Sequence, residues 1–183
     1  MNDSLKGCIG FSGPKANASW LQKLIMFFTA SKWSHGFIVT FPVEGEEMVM
    51  EAQMAVCTVP LARYRGDVNC AYEIYQPQGI VRSDEVTDRA LLKGYHEWAG
   101  TRYGFLQLPC FVIKWVYEKL RIPMIHLPDW VRQGIICSEV QYDYLTEISL
   151  SPILNFDPDL VSPQDLYGVV KAHPELFQLV ESQ

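Results

Sequence analysis

Short apolar runs and helix-spaced apolar stripes alternate along the chain, and their order outlines a fold. Ile9 and Phe11 lie among Gly7, Gly10, Gly13 and Pro14, which predicts a short strand running into a loop. Ser19 followed by Gln22 has the spacing of a capping box. Trp20, Leu21, Leu24, Ile25 and Phe28 then recur at helical spacing, so a helix is expected over 20–29. Residues 34–41 are β-branched and aromatic, 42–45 carry turn chemistry, and 48–52 return as a second strand of a hairpin. Further strands are expected at 56–61 and 71–76. A helix over 83–99 opens on Ser83, Asp84 and Glu85 and closes at Gly100. Pro109 can start another that buries Val112, Trp115 and Val116. Val140, Tyr144, Leu145 and Ile148 mark a helix over 137–148, and 164–171 reads as a last, short one. Early strands with helices around them make an α+β fold with a mainly antiparallel sheet flanked by helices.

Composition narrows the classes. With 183 residues the chain suits one domain, 1–183, at about 100–200 residues per domain. Fifteen basic against twenty-one acidic residues leave a net charge of −6. An acidic surface is a poor general binder of nucleic acid. The N-terminus has no basic segment followed by an apolar core, so no secretory signal is expected. The aromatic stretch 105–127 is interrupted by Lys114, Glu118, Lys119, Arg121, Pro109 and Pro123, so no transmembrane segment is expected. It reads as a lid, a substrate wall, a partner surface (a peripheral membrane contact included) or extra core. The five cysteines form no C-x-x-C pair, which points to reduced thiols and a cytoplasmic setting, with neither metal nor cofactor.

Three residues carry the candidate chemistry. His35 heads a strand, where a neutral imidazole can accept a proton or simply fill an edge position. With a turn over 41–45, His35 faces Glu51 directly across the hairpin. A carboxylate there would fix the imidazole tautomer, although an exposed strand glutamate fits the same pattern. Cys137 stands at the start of a predicted helix, whose dipole favours the thiolate. Its ordinary alternative is a small buried hydrophobe. Cys8, Cys57, Cys70 and Cys110 lack such a position. His35, Glu51 and Cys137 have the ligand types of a zinc site but lack a fourth ligand and metal-type spacing.

These residues fall into a recognisable order. Ser34-His35-Gly36-Phe37-Ile38-Val39 is followed by Glu51-Ala52, Pro60-Leu61, Gly100-Thr101-Arg102-Tyr103, Cys137-Ser138-Glu139-Val140-Gln141 and Pro163-Gln164-Asp165-Leu166. The series resembles the permuted papain-like enzymes of the NlpC type, in particular the YiiX/YaeF-like group, over about residues 7–168. The resemblance implies a circularly permuted papain-like fold, with the order His, Glu, Cys. It makes Cys137 the nucleophile, His35 the base and Glu51 the residue that orients it. Tyr103 would line the substrate pocket, with Ser34 and Ser138 flanking the catalytic pair. Val140-Gln141 departs mildly from the family's Leu-Val, and an aromatic insertion at about 105–130 has no counterpart in the pattern. The implied activity is hydrolysis of an amide in a cell-wall-like peptide through a thioester. Lipid or fatty-acyl transfer on the same triad is the alternative, and a silent binding module on the same fold is a further one. The expected partner is therefore a small peptide or acyl substrate.

Overall fold

Alternation of apolar residues builds a six-stranded sheet in the computed structural model, which describes residues 4–78, 84–104, 135–158 and 161–183 and the helical positions 113, 116, 117 and 120. Five strands arise near the start of the chain: β1 (Ile9–Pro14), β2 (His35–Val39), β3 (Met48–Ala52), β4 (Val56–Pro60) and β5 (Cys70–Pro77). The sixth, β6 (Phe177–Ser182), returns from the C-terminal region. The order across the sheet is β4-β3-β2-β1-β5-β6, and every neighbouring pair is antiparallel. The α+β architecture expected from the sequence is the observed one.

Side chains alternate between the two faces of a strand. Ile9, Phe11, Ile38, Met50, Ala52 and Tyr75 join the larger core, which also holds Leu91 and Trp98 of α3 (Asp84–Trp98). Val140, Tyr144 and Leu145 of α4 (Cys137–Leu145) and Leu166 and Val170 of α5 (Pro163–Ala172) complete it. The other face carries Cys8, Phe37, Val39, Val49, Tyr72 and Ile74, closed by Leu61 and by Tyr64 of α2 (Ala62–Arg65). Of the helices, α1 (Trp20–Phe28) starts at the expected capping box, with Ser19 Oγ accepting from Gln22 N–H at 3.2 Å.

Several elements differ from expectation. The helix at 137 is α-helical to Leu145 and continues as a π-helical turn over Thr146–Leu150, so the expected end at Ile148 falls inside that turn. Ser149 takes a φ of 70° there and Pro152 follows, which closes the helical run just past Ile148. Neither α2 nor β6 was anticipated, the one having only four residues and the other being a mostly exposed edge strand.

The hairpin register is also corrected. Phe37, not His35, lies opposite Glu51, with Val39 opposite Val49. The chain reverses at Glu44 and Gly45, both with positive φ, so the hairpin is longer than a 41–45 turn allows. The slip is two residues. Faces repeat every two residues, so His35 and Glu51 stay on one side of the sheet.

Candidate functional site

His35 begins β2 and Glu51 lies near the end of β3, diagonal to it. His35 Nε2 is 2.9 Å from Glu51 Oε2. A carboxylate accepts only, so Nε2 carries the proton in this contact. Glu51 is wholly buried, and the same oxygen accepts from the Tyr64 hydroxyl. Tyr64 is itself held by stacking on Phe37, with ring centroids 4.5 Å apart. The Arg63 guanidinium approaches the other oxygen, Oε1, at 3.6 Å. Burial would push the Glu51 carboxyl up, but His35, Tyr64 and Arg63 hold it below the usual range.

Cys137 is the first residue of α4 and is 3% exposed. Its side chain is hydrogen-bonded to His35. With Nε2 committed to Glu51, Nδ1 is the ring nitrogen left for the sulfur. The backbone N–H groups of Gly36 and Ser138 donate to the same sulfur. Burial raises the thiol pKa, yet the His35 charge and these donors bring it below the ordinary value. Burial likewise lowers the imidazole pKa, while Cys137 and Glu51 more than reverse this and raise it to about 10. Both shifts favour the proton on the imidazole and the negative charge on the sulfur.

Tyr103 reaches this sulfur as well, through a side-chain hydrogen bond. Burial and the negative sulfur hold its phenol well above the usual pKa, so its O–H is the donor. Its backbone is tied to the β3–β4 turn by a 3.0 Å bond to Met54 O and to Ile135 by a parallel bridge. Ser34 is buried beside Cys137, and its hydroxyl has no hydrogen-bond partner among the described residues. The Ser138 hydroxyl donates to Val161 O at 2.7 Å, so its backbone N–H is what serves the sulfur.

Two residues escaped the sequence reading. Gln141, taken as a mild departure, is wholly buried, with Nε2 2.8 Å from Gly10 O and 3.0 Å from Phe37 O. It sits one turn after Cys137 and ties α4 to β1 and β2. Tyr64, the second, holds Glu51. The available signal for Gln141 was a polar residue on the same stripe as Cys137, Val140 and Tyr144.

Two clefts meet at His35. One, of about 400 Å³, is lined by Ile25, Ala52, Met54 and Tyr103. The other, of about 270 Å³, is polar and is lined by Gln22, Arg63, Asp67 and Asn69. Among the described residues no three His, Cys, Asp or Glu side chains converge to hold a metal ion. No described helix is long and apolar enough to cross a membrane. The insertion expected at about 105–130, with its suggested membrane contact at 105–127, lies almost wholly outside the described residues.

No protein-family model matches the chain. No curated protein matches it either. Among solved structures it is similar to YiiX from Escherichia coli O157:H7, titled a metalloprotein of DUF1105. The two share 17% identity over 97% of each chain, with a TM-score of 0.63. At that identity the likeness is one of fold. The α+β fold with its six-stranded antiparallel sheet is thus a YiiX-like fold over nearly the whole chain.

Proposed function

We propose that the protein is a thiol-dependent hydrolase of amide bonds, with a cell-wall-like peptide as substrate class. One observation carries the reading: an imidazole is hydrogen-bonded on one side to a buried carboxylate and on the other to a cysteine sulfur. In this mechanism Cys137 sulfur attacks the amide carbon, and a C–S bond forms. His35 gives its Nδ1 proton to the departing nitrogen, and the C–N bond breaks. Water then attacks the thioester while His35 takes its proton. The C–S bond breaks, a carboxylic acid leaves, and the ion pair is restored. Glu51 orients the ring and stabilises its charge throughout. The hydroxyls of Tyr103 and Ser34 are the donors next to the sulfur for the developing oxyanion. Cys8, Cys57, Cys70 and Cys137 are free, which fits a cytoplasmic setting.

A chromogenic ester tests the mechanism before the substrate is known. With p-nitrophenyl acetate, a nitrophenolate burst and an acetyl group on Cys137 by intact mass are expected. Both vanish in Cys137→Ala. A burst that survives this substitution, or no adduct at all, overturns the hydrolase reading in favour of a binding module.

A second reading, acyl transfer from a lipid, is favoured by α1. None of its described side chains is fully buried, and Trp20 and Phe27 are 76% and 67% exposed. Met54, 74% exposed, and Ile25 of α1 line the wider cleft. Such an aromatic, apolar rim suits a lipid surface. Capture of the acyl group from lipid but not from peptide donors would favour this reading.

A further inference from the structure

The narrower of the two clefts carries a charge that the proposed chemistry does not use. Arg63 lies on α2, next to Tyr64, and its side chain is 58% exposed. Among the described residues its guanidinium donates no hydrogen bond; its one ion pair is the 3.6 Å approach to Glu51 Oε1. Glu51 is sealed inside the sheet face, so most of the five guanidinium N–H groups remain open to the cleft. The same walls carry Asn17, Gln22, Gln53 and Asn69, and His35 forms one end. Asp67 is the opposing charge on these walls, and its Oδ1 accepts from Asn69 N–H at 2.9 Å.

We infer that this cleft binds a carboxylate of the substrate on Arg63, on the α2 side of the bond being cleaved. The inference rests on the hydrolase reading and specifies its substrate: an acyl compound with a free carboxylate several bonds from the scissile amide. A guanidinium suits the role, because its fork matches a planar carboxylate and stays charged at all working pH. Volume limits the group to a small one, since about 270 Å³ is available. Asp67 sets the position, because an anion is repelled from its end of the cleft and held at the Arg63 end.

Two alkylating agents of nearly equal size read this charge: N-iodoacetyl-β-alanine, whose carboxylate lies several bonds from its reactive carbon, and its uncharged amide. Rates at Cys137 are measured for both by peptide mass mapping, at about 0.15 M salt to screen distant charges. In the unaltered protein the rate of the acid saturates with concentration. Arg63→Gln lowers the acid-to-amide ratio roughly tenfold, the loss expected for one charge-assisted hydrogen bond. Arg63→Lys restores part of it, and Asp67→Asn raises the ratio. Taking the ratio divides out any change in the thiol itself, including that from removing a charge beside Glu51. A ratio that Arg63→Gln leaves within twofold overturns the carboxylate site alone. Labelling of Cys137 no faster than Cys57 by the amide overturns the nucleophile reading, and the carboxylate site with it.

Discussion

Gly36 and Gln141 are fitted to one another: a Cβ built on Gly36 would lie 2.2 Å from Gln141 Oε1. The missing side chain lets α4 come close enough to β2 for Gln141 to reach the carbonyls of Gly10 and Phe37. The same approach brings Gly36 N–H to the Cys137 sulfur. Gly36→Ala is expected to destabilise the fold by roughly 1–3 kcal/mol through overpacking. Gln141→Ala should cost roughly 1–3 kcal/mol through its lost buried hydrogen bonds. Together they should cost less than the sum, with a coupling of at least about 0.5 kcal/mol in urea unfolding. Strict additivity would contradict the fit.

Stability should respond to pH in a way that identifies the ion pair. The unfolded imidazole titrates near 6.5 and the unfolded thiol near 9.0. Between these values the unfolded chain holds one proton on the thiol, and the folded chain holds one on the imidazole. Equal proton counts give a flat stability curve across this window. Above it the raised His35 pKa makes stability fall as pH passes through about 10. Below it the depressed thiol makes stability fall with falling pH. Cys137→Ser removes the leading group that raises His35 and the depressed thiol as well, so the fall that ends near pH 10 should move to lower pH and the flat window should be lost. Melting temperatures at half-unit pH steps test this, and matching curves for the two proteins would rule out the thiolate–imidazolium pair.

Tyr64 acts on Glu51 from below the sheet. Tyr64→Phe removes the hydroxyl bonded to Oε2 and leaves the ring on Phe37. The expected loss is roughly 1–3 kcal/mol at neutral pH, because the acceptor is a buried carboxylate. Glu51 has a depressed pKa, so its stabilisation is present above the ordinary value and is lost as pH falls through the folded one. The gap between the variant and the unaltered protein should therefore narrow in acid. A gap independent of pH would mean that the hydroxyl does not act through the carboxylate.

Ser34 separates stability from activity. Its buried hydroxyl has no partner among the described residues, so Ser34→Ala should not destabilise the fold. The nitrophenolate burst should slow at least about tenfold if that hydroxyl meets the oxyanion. Equal burst rates would leave Ser34 without a role in acylation.

How much of this was legible depends on which residues spoke locally. The capping box at Ser19, the strands and the helix start at Cys137 are short-range features, and each lies close to its expected place. His35 and Glu51 were paired in the wrong register, yet parity kept them together, because the error was an even number of residues. Glu44 was the obstacle: a non-glycine residue with positive φ lengthens the hairpin, and nothing in its own chemistry announces this. Gln141 was underrated because its partners, Gly10 and Phe37, are more than a hundred residues away in the chain. Strand β6 was missed for a similar reason, since an exposed edge strand owes its conformation to β5 rather than to its own pattern.

The joining of β2 to α4 has a consequence for when the thiol becomes reactive. His35 is made early in synthesis and Cys137 late, and the two meet only when α4 docks on the finished hairpin. Until then the cysteine has neither its imidazolium nor the Gly36 N–H, and it reacts as an ordinary thiol. The thiol thus starts as an ordinary one in the growing chain and gains its special surroundings by tertiary assembly. Its alkylation rate at mildly acidic pH is therefore a built-in clock for the docking of α4.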